Sequence, residues 1–342
     1  MNKREMVISA IEGGMPGKVP VAPFLGGYVF QNSGHPWREL LENSSLFVAA
    51  EINCFRDLDC DAVWGPSLDE VSPAVGAGFS LRDDGPPSVN KPAIEMKSDL
   101  ECVIRTGRNL ENSKWVDYKV EVCRKLRQEV GTDVPIVIHG NNAFRLAGNL
   151  VGLQTLYLLM VEDPRFVHEL LETCLELAIR ANRLLIEGKP DIFWIAQPTA
   201  SANCISRQHY TEFVHPYSVR LFQEIKKGGA YSILHTCGRW EDRFDLAIEE
   251  GADIVHVDGA DLSSLRAREK RKIPIMGQVP TNTLLNGTIE EVWSMARRDI
   301  HDAGKKGGFI LSASCSLPPG TPRRNLKALI GAARQYDPVT DG

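Results

Sequence analysis

Tyr231-Ser-Ile-Leu-His-Thr-Cys-Gly238 is the stretch from which both the fold and the chemistry of this chain can be read. A short apolar and β-branched run ends in His235 and Cys237. Residues i and i+2 of an extended segment project from one face, so an imidazole and a thiol are aimed at a single point. Gly238 then lets the backbone turn away without a Cβ penalty. Imidazole plus thiolate is zinc-type ligation, but two ligands do not make a site. A second apolar run, Phe309-Ile-Leu-Ser-Ala-Ser-Cys315, also ends in a thiol and passes into the loop-forming Ser316-Leu-Pro-Pro-Gly-Thr-Pro322. A fold that joins the two strand ends creates a His235–Cys237–Cys315 set with one position open, the pattern of a catalytic zinc.

Working outward, buried strands are predicted near residues 20, 62, 137, 193, 233, 255, 275 and 310, with helical segments between nearly all of them. Apolar strands alternating with helices imply a parallel sheet. Eight such units suggest a closed (β/α)8 TIM barrel, α/β in class, as a single domain over residues 1–342. Residues 5–12 form an N-terminal helical extension. Residues of about 66–115 break the rhythm and read as an insertion after the second strand, a hairpin covering the mouth of the site. Gly26-Gly27-Tyr28 reads as a flexible loop. Asp163-Pro164 is a helix start with Asp as N-cap, and Thr288-Ile-Glu-Glu291 is a capping box. Barrel chemistry sits where strands end, and that rule gives His235, Cys237 and Cys315 a common rim.

The net charge of −5, with no basic patch or tail, argues against a nucleic-acid partner. Eight cysteines without pairing spacings read as thiols of a reducing compartment. No apolar run approaches the roughly 20 residues of a membrane span, and no apolar leader follows the first residues. A soluble, cytoplasmic protein is expected.

Each candidate has a bland reading. Taken singly, a thiol is commonly a small core hydrophobe; Cys54, Cys60, Cys102, Cys123, Cys174 and Cys204 fall on helices or in strand lead-ins and are read as inert. Glu70 is a possible fourth metal ligand, against the alternative that Asp69 and Glu70 are solvated loop acids. His139 ends the third strand as a rim group or a hydrogen-bonded structural His. Asp258, on the same side as His256 and just past the sixth strand, is a candidate pocket group. Tyr28, Asn141, Gln197 and Gln278 sit at strand ends as candidate substrate-binding residues.

Several segments carry a family resemblance. Gly277-Gln-Val-Pro280, Leu284-Leu-Asn-Gly-Thr-Ile-Glu-Glu-Val292, Gly308-Phe-Ile-Leu-Ser312, Pro318-Pro319, Thr321-Pro322, Asn325-Leu-Lys-Ala328 and Pro198-Thr-Ala-Ser201 together resemble the uroporphyrinogen decarboxylase superfamily over essentially the whole chain. Within it, His235-X-Cys237 with Cys315 resembles the zinc signature of the corrinoid-dependent methyltransferases, such as methylcobamide:coenzyme M methyltransferases and the methyltransferase components of O-demethylases. Decarboxylases of the superfamily lack these ligands and carry an Arg-Gln-Ala-Gly-Arg stretch after the first strand; here that place reads Phe24-Leu-Gly-Gly-Tyr28.

The resemblance implies a Zn2+-dependent transfer of a methyl group between a small molecule and the cobalt of a corrinoid (cobalamin). The corrinoid is expected on a separate protein that docks at the barrel mouth, because no corrinoid-binding stretch of the Asp-X-His-X-X-Gly type is recognised in the chain. Two departures bear on the substrate: the acids at Asp69-Glu70 are displaced from the paired glutamates of many coenzyme M enzymes, and Gln197 replaces a common acid. With Phe24, Tyr28 and Trp64 nearby, a methoxylated aromatic donor is favoured over a sulfonated thiol. The rivals are a thiol methyltransferase, a metal-free uroporphyrinogen decarboxylase, and a non-catalytic barrel with a structural zinc.

Overall fold

The computed structural model describes residues 1–268 and 273–336. Its strands are β1 (Val63–Trp64), β2 (Gly78–Ser80), β3 (Ser88–Lys91), β4 (Ile136–His139), β5 (Ile192–Ala196), β6 (Tyr231–Thr236), β7 (Ile254–Val257), β8 (Ile275–Val279) and β9 (Phe309–Ala313). Seven of them form one sheet in the order β1-β4-β5-β6-β7-β8-β9, every pairing parallel, and β2 and β3 pair apart as an antiparallel hairpin.

The expected first strand is reduced to a single bridge between Val21 and Leu311. Pro20 and Pro23 remove two ladder donors, which is why the segment cannot pair along its length. It still closes the ring. Ala22 N donates to Leu311 O and Leu311 N to Pro20 O on one side, and Asp61 N donates to Val21 O on the other. The result is the (β/α)8 barrel, with residues 20–22 in the first staves' place.

Strand alternation divides the core in two. Ala22, Phe24, Trp64, Val137, Ile192, Trp194, Ile233, Ile254, Met276 and Ile310 fill the barrel interior. The residues between them, among them Ile138, Phe193, Leu234, Val255, Ile275 and Leu311, face the outer helices. The helix Lys3–Ile11 contributes Val7, Ala10 and Ile11 to the interior cluster. Arg4 N bonds Asp133 O just ahead of β4, so this helix plugs the end where strands begin and leaves the opposite rim for chemistry.

Two helix starts match their sequence signals. The Asp163 carboxylate accepts from Phe166 N at the head of Pro164–Ile186, and Thr288 and Glu291 form a reciprocal capping box before Ile289–Asp299. Gly26-Gly27-Tyr28 is not a loop: Gly27–Asn32 is helical. Gly26 takes the turn at φ +44°, and a Cβ on Gly27 would meet Pro319 at 2.6 Å, so these glycines serve close packing rather than flexibility. The insertion does contain a hairpin. It leans on the segments that follow the first and third barrel strands, through Trp37 N to Asp83 O and Ile94 N to Leu150 O. Among the described residues, no single helix is long and apolar enough to cross a membrane.

Candidate metal centre

His235 is the fifth residue of β6, paired in register with Ala196 on one side and His256 on the other. Its ring is held between two others: Trp194 lies stacked on it, centroids 4.6 Å apart, and His256 is 4.5 Å away. Beyond β6 the chain turns at Gly238, φ +85°, where a Cβ would come within 2.8 Å of Asn203 Oδ1. That turn is pinned twice. Asp258 accepts from Gly238 N (3.2 Å), and Trp240 Nε1 donates to Cys237 O (3.0 Å). Cys315 follows β9 in a loop anchored by Ser314 N to Val279 O and Leu317 N to Phe24 O.

These elements bring one donor atom each from His235, Cys237 and Cys315 within 4.8 Å of one another. Tetrahedral zinc with its usual bond lengths sets donors roughly 3.3–3.8 Å apart, so a small inward movement closes the set. Among the described residues it is the single group of three or more such donors placed to share an ion.

The chemistry of the set fits a metal. His235 is 1% exposed, yet neither ring nitrogen has a hydrogen-bond partner. A buried polar group left so costs about 1–3 kcal/mol, a penalty that metal ligation at one nitrogen would relieve. The two thiols titrate as one unit. Cys315 is the lowered member, first through the hydrogen bond it accepts from Cys237 and then through His235, against the opposing effect of burial. Cys237 is pushed up by that same bond, by burial and by the charges of Cys315 and Asp258.

The other expected site residues scatter. Asp258 lies beside the trio, 3.8 Å from Cys237 Sγ. Glu70 is not a solvated loop acid: it is fully buried, bonded to Lys119 Nζ (2.9 Å) and Asn141 Nδ2 (2.6 Å), and it does not join the metal group. Each of its oxygens already accepts one hydrogen bond, so Glu70 is held as a buried, paired acid apart from the trio. Gln197 faces outward, bonded to Ser218 and Glu250, and Gln278 clasps both backbone groups of Ala260. Tyr28 packs into the outer layer, within electrostatic reach of Cys54, Asp57 and Arg323. Phe24 and Trp64 do sit inside the barrel, but packed on each other at 5.0 Å as filling. His139 joins that aromatic layer, 4.5 Å from Phe24 and 4.6 Å from Trp194. Burial, with Lys119, Arg145 and His235 adding to it, holds its imidazole neutral, well below the usual His range. Trp194, which orients His235, was not singled out from sequence. Its parity with Ile192 on an interior-facing strand was the available signal.

One sequence expectation fails outright: Asp299-Ile-His-Asp-Ala-Gly304 does spell Asp-X-His-X-X-Gly. Its setting is a helix end, not a loop following a strand. The Asp299 carboxylate accepts from Gln278 N, and His301, exposed, bonds Asp302. An acid turned inward cannot orient that imidazole, so the stretch does not make a corrinoid site here.

A family model described as uroporphyrinogen decarboxylase (URO-D) matches residues 2–336. The chain belongs to the uroporphyrinogen decarboxylase family. Its relatives in that family include the methylated-thiol–coenzyme M methyltransferase of Methanosarcina mazei, 26% identical over 284 residues, 81% of this chain and 74% of the relative. The methylcobamide:CoM methyltransferase MtaA of Methanosarcina barkeri is 25% identical over 347 residues, covering 96% and 97% of the two chains. Bacterial uroporphyrinogen decarboxylases also match, at 24%. A solved methyltransferase from Methanosarcina mazei superposes with a TM-score of 0.89 at 21% identity, over 98% of this chain and 99% of its own, which shows the shared barrel.

Proposed function

We propose that this member of the uroporphyrinogen decarboxylase family is a zinc-dependent methyltransferase that moves a methyl group between a small molecule and the cobalt of a corrinoid carried by a separate protein. The observation that carries the reading is the convergence of His235, Cys237 and Cys315 at the barrel rim around a buried imidazole with two partnerless nitrogens. The methyltransferase names of several relatives support it. The free thiols of the chain suit a reducing, cytoplasmic setting.

Bound by these three residues, zinc would act as a Lewis acid on the heteroatom that carries or receives the methyl group. The chain's own residues supply position. Trp194 and His256 fix the His235 ring, the Asp258 and Trp240 bonds fix Cys237, and the Phe24 contact fixes the Cys315 loop. Methyl transfer to or from cobalt is an in-line displacement, so holding the heteroatom at one place on a rigid rim is the larger part of the catalysis. The barrel interior directly beneath is filled by packed aromatic rings, which keeps water out from below.

Two substrate readings stand side by side. The methoxylated aromatic keeps the support of an aromatic barrel and loses that of Tyr28, which faces the outer layer. A thiol acceptor is favoured by relatives whose names include coenzyme M. The test supplies Co(I) cobalamin with a panel of methoxyaromatics and, separately, methylcobalamin with thiols. Methyl transfer in one arm, abolished in Cys237→Ala, is expected. Absence of transfer in both arms with zinc-loaded protein contradicts the reading.

A further inference from the structure

A charge imbalance is built into the rim beside the metal centre. Glu70 is buried between Lys119 and Asn141, as above, and Lys119 also reaches His139 O at 2.6 Å. The far end of Asn141 meets a second cation: Arg145 Nη2 lies 3.5 Å from Asn141 Oδ1, too long for a strong bond. Lys119, Glu70, Asn141 and Arg145 thus form a chain with two cations and one anion. Asp69, the neighbouring acid, is engaged by the Val71 and Ser72 amides and by Asn149 Nδ2 at 2.7 Å. Among the described residues, no carboxylate comes within the 4.0 Å of an ion pair with Arg145.

Arg145 is half-buried, in the first turn of the helix Ala143–Val151 that follows β4 directly. It therefore stands on the strand-end rim that carries the trio. Its charge is felt by His139, the last residue of β4, which is 4% exposed and whose Nε2 has no partner. A guanidinium partly withdrawn from water without a counter-charge is costly.

We propose that Arg145, braced by the Lys119–Glu70–Asn141 chain, is the anion-recognising residue of the substrate site, and that the small molecule bears a carboxylate or sulfonate. The inference rests on the methyl-transfer reading and deepens it. A guanidinium offers such groups two parallel donors at fixed spacing, so it fixes orientation as well as charge. A carboxylated methoxyaromatic and a sulfonated thiol share this chemistry.

The test uses zinc-loaded full-length protein and pairs of compounds that differ in the anion: 3-methoxybenzoate against 3-methoxybenzyl alcohol with Co(I) cobalamin, and 2-mercaptoethanesulfonate against 2-mercaptoethanol with methylcobalamin. The wild type should favour the anionic member of one pair by about 10- to 100-fold in kcat/KM, the worth of a bond to a charged group. The favoured pair identifies the source. Arg145→Gln should collapse that preference mainly through KM of the anionic member, and Arg145→Lys should restore part of it. A wild-type ratio near one, a preference that survives Arg145→Gln, or equal losses on both members overturns the inference. If neither pair is turned over, equilibrium binding of the two anions, read by tryptophan fluorescence, decides: no Arg145-dependent binding overturns it, while Arg145-dependent binding without methyl transfer sinks only the methyltransferase reading.

Discussion

Trp194 lies against His235 with ring centroids 4.6 Å apart and planes 23° apart, and its indole N–H donates to Nδ1 of His256 at 3.2 Å. His256 must then carry its proton on Nε2, which donates to Ala313 O at 2.8 Å, two residues before Cys315. Burial keeps that imidazole neutral, well below the usual His range. One indole thus connects the strand that supplies His235 to the strand that supplies Cys315.

Trp194→Ala should weaken zinc binding by about 10- to 100-fold, the usual cost of losing a residue that orients a ligand. Trp194→Phe keeps a stacking ring and loses the His256 bond, so it should fall between. Chelator competition on folded protein reads both. Wild-type affinity in Trp194→Ala contradicts the assigned role.

Lys119→Met leaves Glu70 buried without its cation and should cost about 3–5 kcal/mol of stability. Urea unfolding measures it. Glu70→Gln/Lys119→Met should recover most of the loss, and Glu70→Gln alone should keep full zinc, since Glu70 lies outside the trio. A harmless Lys119→Met would show that the pair is not buried as described.

Glu51 is 1% exposed, with Trp64 N donating to its Oε1 at 2.8 Å, and burial raises it from 4.5 to about 8. Its contribution to stability is full below about pH 4.5 and is lost as the pH rises towards 8, because the unfolded chain ionises and the folded chain does not. Within that window the loss is up to about 1.4 kcal/mol per pH unit. Glu51→Gln should flatten the stability profile between pH 5 and 8 and be relatively more stable at pH 8. Parallel wild-type and variant profiles are the opposing result.

Uroporphyrinogen should not be decarboxylated. Phe24, Leu25 and Tyr28 are buried, and no arginine stands in residues 24–28 to pair the carboxylates of such a substrate. Coproporphyrinogen formed above background in an anaerobic assay would reverse this.

The parts legible in the sequence were those written in local periodicity. Short apolar runs marked β6 and β9, the i, i+2 spacing aimed His235 and Cys237 together, and the strand-end rule put Cys315 on the same rim. Asp163 and Thr288 announced their helices because a cap is a contact over three residues. The misses are long-range. Gln197 and Gln278 read as rim groups, but their partners Glu250 and Ala260 lie 53 and 18 residues away. Glu70 read as solvated because Lys119, 49 residues on, gives no local sign of reaching back to it. Tyr28 was misplaced because Gly26-Gly27 has two uses, flexibility and close approach, and only the position of Pro319 decides between them.

The central claim is tested most directly by the zinc content of protein purified without added metal, by elemental analysis, in the wild type and in Cys237→Ala/Cys315→Ala. About one zinc per wild-type chain and near none in the folded double variant is the predicted result; a double variant that keeps its full zinc contradicts the account.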